Sequence, residues 1–201
     1  MKDLSGPMPE MPPNQNNFRE WFANAKKPPD GASASWYRTR GQHFERALYY
    51  LLAAEGLSAR TNFRPKNEQI DGAFECDQRY FLLEAKWQAK PIGLKELDAF
   101  HGKIERKLSD TLGVFISMSG YPRSAADSLV KAKALKIVLF GDRVIDACFD
   151  PAVGFKRVLN FKLRAAAEYG LPYYDYRPLE TIDGATYTLS RKISDFGQSE
   201  A

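Results

Sequence analysis

One stretch constrains the fold more than any other: QIDGAFECDQRYFLLEAKW, residues 69 to 87. Two β-rich runs, about 69–76 and 79–87, flank the pair Asp77-Gln78. A connection that short joins strands only as an antiparallel hairpin. Asp-Gln is not a favoured pair for a two-residue turn, so the register rests on the symmetry of the strands. A hairpin symmetric about Asp77 and Gln78 sets Asp71 opposite Glu84, with Cβ atoms about 4.5–5.5 Å apart. Lys86 then points to the same face, while Leu83, Ala85 and Trp87 point to the other.

Opposed like charges destabilise a hairpin, and a carboxylate on a half-buried strand costs free energy without a partner. Two readings meet this cost. Lys86 bridges the two acids on a wet sheet face, or a divalent cation sits between them. Hard oxygen ligands of this kind suit Mg²⁺, with Mn²⁺ as a substitute, and the carbonyl of Ala85 could add a further ligand. Lys86 would then lie beside a metal-bound water, lowering its pKa or orienting it, and would offset charge developing on a phosphate. Asp71, Glu84 and Lys86 together would make a phosphodiester-cleaving site.

The 201 residues suit one domain with appendages. Residues 1–35 are rich in Pro, Asn and Ser and read as a loosely attached arm or partner-docking segment. Within them NFREWFANAKK spaces Phe18, Trp21 and Phe22 as one helix face, which would equally pack back onto the domain. Residues 36–150 carry the regular pattern. RGQHFERALYYLLAAEGLSA is an amphipathic helix stopped at Gly56, and TNFRP is a short extended piece before the hairpin. PIGLKELDAFHGKIERK is a second amphipathic helix. TLGVFISMS is a continuous apolar run, hence a buried strand. A helix and a last short strand, KIVLFG, complete an α–β–β–β–α–β–α–β order, with helices on both sides of a sheet. Residues 151–201 form an extension, one helix followed by an aromatic tail that includes YYDY at 173–176.

Cys76 and Cys148 lie in unrelated contexts, which speaks against a disulfide framework or a zinc site and for buried apolar filler. No apolar run reaches membrane-span length, and MKDLSGPMPEMPPN lacks a signal-peptide layout, so a cytoplasmic location is expected. A net charge of +4 and a pI near 9.0 lean mildly towards a polyanionic partner.

Beyond these single features, five segments occur in order: GQHFERALYYLLAAEGL, IDGAF, LLEAKW, LKELDAFHGKIERK and TLGVFISMSGYPRS. The chain over about residues 40–145 resembles the Mrr-type restriction endonuclease catalytic domain, a branch of the PD-(D/E)xK nuclease superfamily. That family shows a GxxFE helix, a D-G strand, a Q/ExK strand, a helix ending near HG and an apolar strand running into a Ser-Gly-[Phe/Tyr] turn. The resemblance implies an α/β, three-layer α/β/α fold with a central mixed sheet. It implies that Asp71 and Glu84 are the metal ligands and Lys86 the catalytic lysine. Glu45, from GQHFE, matches the family's helix glutamate beside the metal. Many members carry glutamine where Glu84 stands, and fewer glycines surround the D-G strand here.

Gln88, two past Lys86, continues the site face as a substrate contact. Lys103, Arg106 and Lys107 form a basic group, as do Arg38 with Arg40, and Lys156, Arg157, Lys162 and Arg164. Beside a nuclease site such groups position phosphates. Tyr121 and Arg123 sit at a strand-to-helix turn where free N–H groups could meet a phosphate. YYDY is expected to pack or form a dimer contact rather than stack on bases. His101 is expected to be structural or to touch the substrate's edge, and His43 is given no role.

The reading is therefore a Mg²⁺-dependent DNA endonuclease. By family analogy it would act in defence against foreign DNA, as a homodimer or with partner proteins. A structure-specific repair or junction nuclease, a nuclease acting on RNA, and a non-catalytic DNA-binding subunit are the rivals.

Overall fold

The structure is a computed structural model that describes residues 18–63, 68–131 and 134–174, without the side chains of 61–63. Its elements are α1 (Phe18–Ala25), α2 (Ala34–Ala54), β1 (Arg60–Phe63), β2 (Ile70–Cys76), β3 (Arg79–Lys86), α3 (Leu94–Glu105), β4 (Leu112–Ser117), α4 (Arg123–Val130), β5 (Ile137–Phe140), α5 (Asp142–Cys148) and α6 (Phe155–Tyr169).

The strands form one five-stranded mixed sheet in the order β1-β2-β3-β4-β5. The hairpin has the expected register, with Cys76 opposite Arg79 and Gly72 opposite Leu83. Asp77 and Gln78 both adopt positive φ, 49° and 63°, the shape of a primed hairpin turn whose twist matches the strands. Neither is glycine, so the turn is held against its own preference by strand pairing and by Lys156, whose Nζ lies 2.7 Å from Asp77 Oδ1. Helices intervene between β3 and β4 and between β4 and β5, and both pairings are parallel.

The sheet separates two apolar layers. On one face Leu82, Phe115, Ile137 and Leu139 pack against Leu97, Phe100 and Ile104 of α3 and Ala125 and Leu129 of α4. On the other, Leu83, Ala85, Val114, Ile116, Val138 and Phe140 pack against α1, α2, α5 and α6. The result is the three-layer α/β/α arrangement. β4 reads as an uninterrupted apolar run because Val114, Phe115 and Ile116 are each at most 1% exposed, on both faces. Gly113 lets α3 lie close: a Cβ there would stand 2.3 Å from Ile104 Cδ1.

α2 starts at Ala34, earlier than the sequence pattern suggests, because the Ser33 hydroxyl accepts the Trp36 N–H at 3.2 Å and caps it. α1 packs back onto the domain: Phe18, Trp21, Phe22 and Ala25 are buried in the shared core. Residues 1–17 of the expected arm lie outside the described residues. α5 has no counterpart in the sequence pattern. It is seven residues long, too short to show a helical period, yet buries Val144, Ile145 and Cys148. α6 buries Phe155, Val158 and Leu159 in the same core and ends at Gly170, in the left-handed conformation with φ 66°.

Past α6 the Pro172 carbonyl accepts the Leu139 N–H at 2.8 Å, tying the chain to β5. The rings of Tyr173 and Tyr174 of YYDY lie against Tyr121 and Phe161, with Tyr173 still exposed and Tyr174 half-buried, and 175–201 lie outside the described residues. Cys76 and Cys148 are buried free thiols. Among the described residues no helix is long and apolar enough to cross a membrane.

Candidate active site

The face of the hairpin that carries Asp71 and Glu84 looks towards α3. Both carboxylates are buried, 4% and 8% exposed. Lys86 answers the charge problem that their apposition creates. Its Nζ lies 3.0 Å from Asp71 Oδ2 and 2.7 Å from Glu84 Oε1. Asp71 Oδ2 also accepts the Ala85 N–H at 3.2 Å, which fixes the carboxylate against β3. Burial works against the charge on Lys86, but the carboxylates of Glu84 and Asp71 outweigh it and hold its ammonium above the ordinary value. Lys86 in this arrangement is a hydrogen-bond donor and a cation, not a base.

A second lysine completes the cluster. Lys103 of α3 places its Nζ 2.7 Å from Glu84 Oε2 and 2.9 Å from the Gln69 carbonyl oxygen. Both oxygens of Glu84 therefore carry an ammonium. The sequence placed Lys103 only in a basic group for phosphate contact. Its spacing from Glu84 along the chain gave no sign of the ion pair.

Glu45 enters from α2. Its carboxyl is pushed up to about 7 by burial first, then by Asp71 and Glu84, with Lys86 acting in the opposite sense. A carboxyl that feels both acids and the lysine belongs to the same electrostatic site. A folded-state value above the ordinary 4.5 means that Glu45 keeps its proton in the folded protein where the unfolded chain has released it. Its contribution to stability is thus complete below 4.5 and is lost as pH rises towards about 7. In EDTA, Glu45→Gln is expected to gain stability relative to wild type between about pH 5 and about pH 8. Urea midpoints of both proteins at the two pH values measure this, and parallel pH profiles would refute it.

The other expected contacts are scattered. Arg123 opens α4 with an exposed side chain. Gln88 is exposed past the end of β3, where its Nε2 donates to the Lys90 carbonyl at 3.1 Å. Arg106 pairs with Glu68, which Lys107 also binds at 2.9 Å. The Tyr121 hydroxyl donates inward, to the Phe115 carbonyl at 2.8 Å, and its ring packs against Phe115 and Tyr173. Arg40 is buried at 6% exposure, its guanidinium 4.4 Å from the Trp87 ring centroid and flanked by Trp36 and Tyr37. Lys162 is fully buried and donates to the Tyr174 carbonyl at 2.6 Å. These last two are packing groups rather than a phosphate surface. His101 Nε2 stands 4.0 Å from Glu105 Oε1, too far for a hydrogen bond. His43 lies against the Trp21 ring, with its pKa lowered by burial and by Arg46.

Among the described residues, no three His, Cys, Asp or Glu side chains are grouped so as to hold a metal ion between them. The local donor set is two opposed carboxylates, Asp71 and Glu84, with the Ala85 main chain hydrogen-bonded through its N–H to Asp71. These hard oxygens fit a cation that keeps much of its water shell.

The restriction endonuclease family model of the Mrr catalytic type matches residues 37–147. No curated protein sequence matches the chain. Among solved structures, it is similar to the DNA modification-dependent restriction endonuclease AspBHI, at 16% identity over 84% of this chain and 44% of that one, TM-score 0.47. It is similar to the MspJI restriction endonuclease, solved with a 27-mer oligonucleotide, at 14% identity over 90% and 42%, TM-score 0.42. It is also similar to Can2 from Sulfobacillus thermosulfidooxidans, solved with cyclic tetra-adenylate, at 16% identity over 60% and 40%, TM-score 0.44. The chain spans less than half the length of each of these three proteins. The family match covers more than half of the 201 residues and contains Glu45, Asp71, Glu84 and Lys86, and on that ground the chain belongs to the restriction endonuclease family, Mrr catalytic type.

Proposed function

We propose that this protein is a divalent-metal-dependent endonuclease that hydrolyses phosphodiester bonds in DNA. The observation that carries the reading is one lysine, Lys86, hydrogen-bonded to two buried carboxylates that a hairpin register sets opposite each other. Buried opposed acids with a shared cation are costly to fold, and family membership gives the cost a purpose.

Asp71 and Glu84 would hold Mg²⁺, with Mn²⁺ as a substitute, and the Ala85 carbonyl would add a further oxygen. When bound, the cation would polarise a phosphate oxygen and make its water more acidic. Lys86, held as an ammonium, would orient the attacking water and offset charge gathering on the phosphate. Glu45, poised near neutrality, would support the cation with its carboxylate or carry a proton at its carboxyl oxygen. Arg123 and Gln88, both exposed, would touch the DNA backbone, and Arg106 would do so on leaving Glu68. At Tyr121 the main chain of the turn would make the contact, since its hydroxyl is already engaged.

In this reading residues 36–150 are the nuclease domain. The flanks 1–35 and 151–201 would take part in target choice, pairing with a second copy or docking to partner proteins. The cellular role would be cytoplasmic defence against foreign DNA.

Supercoiled plasmid incubated with Mg²⁺, Mn²⁺ or EDTA tests the activity. Nicked and linear products with either metal, and none in EDTA, are expected. Equal cleavage in EDTA would rule out the metal-dependent reading. No cleavage of DNA with either metal would move an RNA substrate, and then a binding subunit, ahead of it.

A further inference from the structure

Lys103 has no part in the chemistry just described, yet it occupies half of Glu84. Its Nζ touches Glu84 Oε2 at 2.7 Å and the Gln69 carbonyl oxygen at 2.9 Å, a two-point attachment spanning α3, the approach to β2 and β3. Its side chain is 19% exposed against 35% for Lys86. Phe100 and Ile104 on either side of it, 1% and 0% exposed, fix α3 against the sheet. Lys103 is therefore delivered to Glu84 by a rigid helix, unlike a surface lysine that finds an acid by chance. The pair charges cancel: Asp71 and Glu84 contribute two negative charges, Lys86 and Lys103 two positive ones. These four groups therefore attract a divalent cation less than the two acids alone would.

We propose that Lys103 is a positioning residue that competes with the divalent cation for Glu84, fixing the carboxylate and holding the site's metal affinity low. The inference rests on the metal-dependent reading above. Its consequence is that the cation is retained weakly by the protein alone. An anionic phosphate brings the negative charge that the four side chains lack, so cation and substrate load together.

Mn²⁺ binding to the full chain, without DNA, tests this by calorimetry and by the electron paramagnetic resonance of free Mn²⁺. Lys103→Met removes the charge and keeps the stem, and is expected to tighten Mn²⁺ binding by about tenfold or more. Lys103→Arg keeps the charge and is expected to stay within about threefold of wild type. A purely structural lysine would give the opposite sign, since a loosened Glu84 binds metal less well. Unchanged or weaker binding by folded Lys103→Met, with wild type binding Mn²⁺, would overturn the proposal and leave the metal-dependent reading standing. Absence of Mn²⁺ binding by wild type and Lys103→Met alike would overturn both. Should Lys103→Met fail to fold by circular dichroism, Lys103→Gln carries the same comparison.

Discussion

Lys86→Ala is expected to cleave plasmid DNA about 10²–10³-fold more slowly than wild type, the range that removal of one donor aimed at developing charge spans. Among the described residues, Lys86 is the one cation that contacts both Asp71 and Glu84, at 3.0 and 2.7 Å. Without it the two buried acids face each other, with Lys103 left on the far oxygen of Glu84. The same change will cost stability in EDTA, because breaking a buried ion pair leaves an uncompensated charge. Partial exposure of Lys86 keeps that cost towards the small end. Lys86→Met, which restores the packing of the stem, separates the two effects: it is expected to recover stability better than activity. Turnover of Lys86→Ala within about threefold of wild type, in a protein folded by circular dichroism, would remove Lys86 from the mechanism.

Phe22→Ala is expected to destabilise the protein by about 3–5 kcal/mol, the usual cost of emptying a buried aromatic site. Phe22 is 1% exposed, and its ring centroid lies 4.8 Å from that of Phe149, 5.4 Å from Trp87 and 5.9 Å from Phe44. Trp87 directly follows Lys86 and is also gripped by Arg40 and Phe44. α1 therefore props the end of β3 from the face opposite the candidate site. The loss should be visible as a lower urea midpoint, with weakened cleavage at temperatures where the variant remains folded. A midpoint equal to wild type would mean that α1 is a detachable arm, as the Pro-rich composition around it suggests.

Much of the site was legible because it is built from a hairpin. Side chains alternate along a strand, and a two-residue turn fixes the partner of every position, so Asp71, Glu84 and Lys86 converge by counting. The apolar runs of β4 and β5 likewise announce strands buried on both faces. The helical spacing of Phe18, Trp21 and Phe22 predicts a helix but not what it covers. α5 escaped because seven residues are too few for a period to emerge.

What the sequence by itself determined is the local frame: hairpin register, face alternation, the amphipathic helices, and the family to which their order belongs. Only the tertiary structure decided which distant charges meet. Lys103 and Glu84 come together because α3 crosses from β3 to the parallel β4 and folds back over the sheet. Glu45 joins them electrostatically because α2 lies beside the same strands. Arg40 and Lys162, by composition equal candidates for DNA contact, are instead enclosed by aromatic rings and carbonyl oxygens. A charge pattern records how many cations a chain has. Burial, set by packing between segments far apart in sequence, decides which of them face inward to another group and which remain free for a phosphate.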